Sequence, residues 1–165
     1  MKKLPFYLYG IVLVLVLMHS AFYYPQLPDT VASHFGGGGR ADNWSGKQSF
    51  FIVSAAILVM NIGIFILIPW ASERFKLVKV NLPNRDYWLA PERMGDFYRF
   101  FRERMCWFGI VNLIFGAIVM HLVFVANIGS EQVFDNYTFL VALAAYFIFV
   151  IIWLISFFLK FRNTN

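Results

Sequence analysis

Three histidines are the side chains of this sequence best suited to bind a metal ion or a proton. His19 and His121 each lie about one and a half helical turns from one end of a long apolar run. His34 lies in the polar segment between the first two apolar runs, close in sequence to Asp29 and Asp42. Imidazole and carboxylate groups together bind transition metals, and imidazole titrates near neutral pH. His19, His34 and His121 could therefore form a metal site, or the two histidines of the apolar runs could hold a haem.

A structural role for the same histidines stays open. His19 and His121 could each satisfy a hydrogen bond between helices, because an equal depth of two residues does not make their helices neighbours. His34 could bond within its own loop. Catalytic motifs are missing from the sequence: the glycines at 36–39 are not followed by Lys-Ser or Lys-Thr, and no His-Glu-x-x-His, Gly-x-Ser-x-Gly or paired-cysteine motif occurs. We therefore expect a non-enzymatic protein and assign no cofactor to it.

The elements that must position these residues are four uncharged apolar runs. The chain has 165 residues, of which 60% are hydrophobic and 14% are charged, whereas a soluble domain is nearer half apolar and a quarter charged. Each run is long enough to cross roughly 30 Å of hydrocarbon as a helix. The sequence predicts an all-α integral membrane protein, a four-transmembrane-helix bundle that forms one domain over 1–165, with helices at about 5–24, 48–70, 106–127 and 137–159.

The distribution of basic residues predicts the orientation. With four spans, the two termini and the loop at 71–105 share one side of the membrane, and this side has twelve of the fourteen Lys and Arg residues. Positive residues stay cytoplasmic, so both termini are expected inside and the loop at 25–47 outside. The basic residues flank apolar runs, so the net charge of +5 does not indicate nucleic-acid binding. The first run is expected to be an uncleaved signal anchor, since bulky residues stand where a cleavage site needs small ones.

The cytoplasmic loop at 71–105 is expected to contain an extended stretch, Leu77–Val80, followed by a helix. Apolar residues recur there at spacings of three and four, which indicates an amphipathic helix at the membrane surface before the third span: Met94, Phe97, Tyr98, Phe101, Met105 and Phe108. Pro69 and Trp70 are predicted to end the second helix. The loop either packs on the membrane surface or docks a cytoplasmic protein, with the contact residues Arg85, Asp86, Trp88 and Arg93.

Polar residues inside the spans have two interpretations. An intramembrane asparagine such as Asn61 usually hydrogen-bonds a neighbouring helix, and the alternative is a solute site.

In the outer loop, Pro25 and Pro28 are expected to stop the first helix. The stretch 31–35 is either a short helical turn or extended, and Trp44 and Lys47 are placed as interfacial anchors of the second helix.

The outer loop resembles a known family. The residues that carry the resemblance are Pro28, Asp29, His34, Phe35, Gly39, Asp42, Trp44 and Lys47. They are similar to the membrane domain of unknown function found at the N-terminus of SdpI-like bacterial immunity proteins and in small stand-alone relatives. The cytoplasmic run Asn81–Arg93 is also similar to a run in the stand-alone relatives. This chain departs from the pattern at Gly36, where the family often has asparagine.

The resemblance implies a role at the envelope. SdpI confers immunity to a secreted peptide toxin and takes part in signalling to a repressor. By this likeness we expect a multi-pass protein of the bacterial cytoplasmic (inner) membrane, acting in peptide-toxin tolerance or envelope signalling. Its expected partners are the lipid bilayer, a peptide at the outer face and a cytoplasmic protein, and its expected ligand-binding residues are Asp29, His34, Asp42, Trp44 and Lys47. The alternative is a small transporter or a metal- or haem-binding membrane subunit using His19, His34 and His121.

Overall fold

The fold is mostly helical, with one small sheet. A computed structural model of the chain describes residues 3–76 and 82–162; the expected extended stretch at 77–80 and the first residue of the run 81–93 lie outside these ranges. The described elements, in chain order, are α1 (Leu4–Tyr23), β1 (Thr30–Phe35), β2 (Ala41–Gly46), α2 (Lys47–Ile62), α3 (Ile68–Phe75), α4 (Arg85–Trp88), α5 (Met94–Ile128) and α6 (Asn136–Arg162).

Four helical segments of this fold are long and apolar enough to cross a membrane. Within the described ranges they run over Leu4–Gln26, Lys47–Phe75, Met94–Ile128 and Asn136–Arg162. Their length and composition indicate a multi-pass membrane protein that contacts the lipid bilayer. The number of spans predicted from the sequence is confirmed, and the helices extend beyond most of the predicted boundaries.

Pro69 was predicted to end the second span, but the helix continues past it. A five-residue π turn, Gly63–Leu67, joins α2 to α3, and the Ile68 N–H bonds the Gly63 carbonyl across it. Pro69 therefore lies in the first turn of α3, where a proline needs no N–H donor. The helix continues to Phe75, so the prediction of an end at Pro69 and Trp70 was wrong.

The structure does not confirm a separate surface helix before the third span. Residues 94–128 form one continuous helix, α5, with no turn near 105. Its first apolar stripe packs against α6: Phe97 and Phe161 are both 1% exposed and their rings lie 5.6 Å apart. An amphipathic stripe has the same 3.6-residue period against a helix as against a membrane surface, so the spacing alone could not distinguish the two partners.

The tightest helix crossing lies at Gly109. A Cβ atom at this position would lie 2.7 Å from the Phe65 Cβ and 2.9 Å from the Tyr9 Cε2. The glycine therefore allows α5 to pass directly over α1 and the π turn, the kind of close approach for which small residues are used in membranes.

The polar segment after α1 folds into a β-hairpin, so the expectation of an all-α fold is corrected. β1 and β2 pair antiparallel, from Thr30 opposite Gly46 to Phe35 opposite Ala41, with an irregular register around His34. Gly39 adopts a φ of +77°, and a Cβ there would lie 2.6 Å from the Phe134 carbonyl. Both the turn and its close contact with the 129–135 loop therefore require glycine.

Candidate functional site

The hairpin is held firmly on the ends of the helices. The Asn127 side chain at the end of α5 accepts the Ala32 N–H at 2.7 Å and donates to the Ala32 carbonyl at 3.0 Å. Beneath this contact Val31 and Phe124 are fully buried. The 129–135 loop adds a backbone bond from the Phe134 N–H to the Gly39 carbonyl, 2.8 Å long. We call this end of the molecule, made of 27–47 and 129–136, the hairpin end.

Two of the residues expected to bind a ligand hold the hairpin end together. Lys47 Nζ donates to the Leu27 carbonyl at 2.8 Å and lies 3.8 Å from the Asp29 carboxylate. The Lys47 side chain is only 16% exposed. Trp44 Nε1 donates to the Gln132 Oε1 at 3.2 Å, and its ring remains substantially exposed. Lys47 thus serves mainly to close the base of the hairpin, while Trp44 and Asp29 are exposed on its surface.

Two more of the expected residues, His34 and Asp42, form an exposed pair. The His34 Nδ1 and the Asp42 Oδ1 are 2.5 Å apart, and the side chains are 69% and 51% exposed. His34 borders a cavity of about 530 Å³ between the hairpin and the facing walls of α5 and α6. Asn136 contributes a further amide to its rim, and apolar side chains such as Val123 and Phe139 line the rest. We call this the hairpin cavity; its polar rim and apolar walls suit an amphipathic ligand.

The structure brings His19 and His121 together, as their equal depth suggested. The His19 Nε2 and the His121 Nδ1 are 3.2 Å apart, between α1 and α5. Tyr23 and Phe124 pack against the same imidazoles. Two imidazole nitrogens at this separation form a hydrogen bond, and they also match the bite of a tetrahedral metal, about 3.3 Å for bonds of about 2.0 Å.

His34, the third histidine of the predicted metal site, does not lie beside His19 and His121. His34 faces the cavity between α5 and α6, whereas His19 and His121 meet between α1 and α5. In the part of the chain that the structure describes, no three His, Cys, Asp or Glu side chains are grouped closely enough to share a metal ion. The expected meeting of all three histidines is thus corrected to two separate pairs, because the hairpin directs His34 towards Asp42.

A chain of hydrogen bonds joins all four spans. Tyr9 donates to the Asn61 Oδ1 at 2.6 Å, Asn61 Nδ2 lies 3.4 Å from the Asn112 Oδ1, and Asn112 Nδ2 donates to the Tyr146 hydroxyl at 2.7 Å. We call these four residues the intramembrane chain. The sequence identified Asn61 as a residue that bonds a neighbouring helix, which is confirmed. The sequence did not predict that these bonds form one continuous series. The residue pattern of one helix does not show which residues of the other helices lie opposite it.

At the opposite end, two of the expected contact residues stabilise the fold. Trp88 Nε1 donates to the Phe161 carbonyl at 3.0 Å, which satisfies an end group of α6. The Arg93 guanidinium lies 3.9 Å from the centre of the Tyr87 ring. Arg85 and Asp86 are exposed and remain available as a contact surface.

The segment that contains the hairpin is similar to a known protein family. A family model described as "Domain of unknown function (DUF1648)" matches residues 11–58, which contain most of α1, the hairpin and most of α2. An "Uncharacterized protein" of Archaeoglobus fulgidus is 29% identical over 96 residues, covering 48% of this chain and 51% of that protein. The match therefore spans about half the length of this curated relative. No solved structure matches.

Proposed function

We propose that this protein is a non-enzymatic membrane protein that binds a peptide at its hairpin end and acts in peptide-toxin tolerance or envelope signalling. The observation that carries the proposal is the exposed His34–Asp42 pair, held on a docked hairpin at the rim of a cavity of about 530 Å³. Binding sites are commonly concave and mostly apolar, with a few fixed polar groups. The resemblance of the same loop to SdpI-like proteins supports a peptide as the ligand.

The charge of the hairpin end favours a cationic peptide. Its four acidic residues, Asp29, Asp42, Glu131 and Asp135, outnumber its two basic residues, Arg40 and Lys47, for a net charge of −2. Lys47 is already engaged with the Leu27 carbonyl. A basic side chain of the peptide would meet the half-exposed Asp42 carboxylate, and an apolar side chain would enter the hairpin cavity.

The proposal includes an orientation and an inner contact. The hairpin end lies outside the bacterial cytoplasmic membrane, and both termini lie in the cytoplasm, with twelve of the fourteen Lys and Arg residues on the inner side. Signalling then requires a cytoplasmic partner. Arg85 and Asp86 are the exposed residues of the inner end that we assign to this contact.

The test is tolerance of a peptide-sensitive bacterial strain to a secreted, cationic and hydrophobic peptide toxin. We expect wild-type protein to raise the inhibitory concentration, and His34→Ala and Asp42→Asn to abolish the increase at equal membrane abundance. Glu131→Gln is the matched control, since it removes one negative charge from the same end without touching the hairpin cavity. Full protection by His34→Ala would remove the pair from the proposal, and no protection by the wild type would reject toxin tolerance.

A second candidate is a metal-binding membrane subunit or small transporter, favoured by the 3.2 Å separation of the His19 and His121 nitrogens. The pair can hold one tetrahedral ion together with external ligands. In the haem alternative the same two imidazoles would be the ligands of the haem iron. Elemental analysis and a visible spectrum of detergent-purified protein test this candidate. Stoichiometric metal that is lost in a His19→Ala/His121→Ala double variant would support it, and a metal-free wild type would reject it.

A further inference from the structure

A second cleft, of about 300 Å³, opens inside the membrane-spanning region between α2 and α5. Ser54 and Asn61 line it seven and fourteen residues after the start of α2, which places them about 10 Å and 20 Å along the helix. The cleft therefore lies within the hydrocarbon depth of roughly 30 Å. It shares Val119 with the hairpin cavity but includes neither His34 nor Asn136. We call it the intramembrane cleft.

The lining of the intramembrane cleft is apolar except for one group of hydrogen-bonding side chains. Ser20, Ser54, Asn61 and Asn112 contribute these groups, and none of the lining residues has an ionisable side chain. Polar groups that face hydrocarbon without a partner are costly. Ser54 Oγ already donates to the Phe50 carbonyl, and Asn61 and Asn112 bond each other and the tyrosines of two further helices. These bonds do not use all the hydrogen-bonding capacity of the group, so the concave volume beside it suits an occupant with one polar atom.

Both asparagines at the floor of the cleft retain a hydrogen-bond donor. Each amide nitrogen has two N–H groups. Asn61 uses one towards the Asn112 Oδ1, and Asn112 uses one towards the Tyr146 hydroxyl. The second N–H of each amide has no acceptor among residues 3–76 and 82–162. Asn61 itself is 6% exposed, so solvent water does not readily satisfy its remaining N–H. An oxygen acceptor in the cleft would do so.

We propose that the intramembrane cleft binds a neutral amphiphile that enters from the bilayer, a molecule with an uncharged hydroxyl or carbonyl oxygen on a single hydrocarbon chain. The spare amide N–H groups select an oxygen acceptor, and the lack of ionisable lining residues selects against a charged head. The volume is at the lower end of the range for ligand sites. It accommodates one chain but not a helix, which with its side chains is about 10–12 Å wide.

A cleft-filling substitution is available with a matched control. A Cβ at Gly116 meets no atom within 4 Å, and the residue lines the cleft, so Gly116→Leu occupies the ligand space without a backbone clash. Gly10 on α1 also has an open Cβ position and lies outside the cleft lining. Gly10→Leu therefore places the same side chain in a span while leaving the site intact.

The experiment uses two photoreactive probes, hexadecanol and hexadecane, each with the same diazirine on its chain. Full-length protein in nanodiscs of phosphatidylethanolamine and phosphatidylglycerol is irradiated with each probe, and labelled residues are located by mass spectrometry. We expect the alcohol to label residues around Leu58, Gly116 and Met120 about tenfold more than the alkane, the effect of one hydrogen bond that would otherwise be lost. Gly116→Leu should remove this excess, and Gly10→Leu should retain it.

Two outcomes would overturn the proposal. Equal labelling by alcohol and alkane, or labelling unchanged in Gly116→Leu, would mean that ordinary lipid tails fill the cleft. Absence of labelling at the cleft, together with a dimer in native mass spectra that Gly116→Leu dissociates, would mean that a second copy of the chain covers it. Neither result bears on peptide binding at the hairpin cavity, because the probes and variants leave His34 and Asp42 unchanged.

Discussion

The side-chain amide of Asn127 hydrogen-bonds both backbone polar groups of Ala32, as a neighbouring β-strand would. It accepts the Ala32 N–H at 2.7 Å and donates to the Ala32 carbonyl at 3.0 Å. Asn127 is at the end of α5, and Ala32 is in β1, 95 residues away along the chain. A two-stranded hairpin is only marginally stable by itself in water. This amide therefore fixes where His34 and Asp42 stand relative to the helices.

We predict that Asn127→Ala releases the hairpin from the helices. The substitution leaves the buried Ala32 N–H and carbonyl without this partner, at a cost of about 1–3 kcal/mol for each unsatisfied group. Hydrogen exchange of the Ala32 amide, followed by mass spectrometry, should accelerate, and exchange in the centre of α5 should not. Asn136→Ala is the control, since its bond to the Gly37 carbonyl is exposed. An Ala32 amide that exchanges at the wild-type rate would contradict the prediction.

Gly109→Ala should destabilise the packing of the helices. The new methyl group would lie 2.7 Å from the Phe65 Cβ, which cannot move without moving the backbone of the π turn. Overpacking of this kind costs about 1–3 kcal/mol. The measurement is thermal unfolding of the detergent-solubilised protein. Gly116→Ala on the same helix, where the Cβ position is open, should unfold at the wild-type temperature, and equal behaviour of the two variants would reject the close crossing.

Tyr9→Phe should weaken the intramembrane chain more than Tyr146→Phe. Tyr9 is buried and donates to the Asn61 Oδ1 at 2.6 Å, whereas Tyr146 is half-buried and accepts from Asn112. Hydrogen bonds between helices in a membrane contribute about 0.6 kcal/mol on average and at most about 1.7 kcal/mol. Unfolding of both variants in a graded denaturing detergent measures the difference. The reverse order would show that Asn61 finds another donor when Tyr9 is lost.

Acidification should weaken the start of α6 through Asp135. Hydrogen bonds from the Thr138 side chain and backbone N–H lower the pKa of the Asp135 carboxyl below its ordinary value of 3.8. A carboxyl with a depressed pKa in the folded state stabilises the fold above its unfolded pKa, and this stabilisation is lost as the pH falls through the folded pKa.

The comparison of wild type with Asp135→Asn measures this effect. The asparagine still caps the helix but does not titrate. The wild type should be the more stable at pH 7, and the difference between their unfolding midpoints should shrink as the pH falls below about 4. A difference that stays constant from pH 7 to pH 3 would exclude Asp135 as its source.

Several features of this protein follow from its sequence alone. An apolar run of about twenty residues forms a spanning helix because its backbone hydrogen bonds are internal to the run. The four spans and the bonding role of Asn61 were predictable in this way. His34, which borders the hairpin cavity, and its partner Asp42 could be selected by type and sequence proximity, since they are eight residues apart.

The tertiary structure decided which elements are neighbours. The meeting of His19 with His121 and the chain from Tyr9 to Tyr146 join residues on different helices, and a helical period records which face is apolar but not what covers it. For the same reason the stripe that begins at Met94 was assigned to the membrane surface, although it packs on α6. The hairpin and the π turn before Pro69 likewise depend on partners far along the chain, Asn127 and Gly109, whose proximity no local pattern contains.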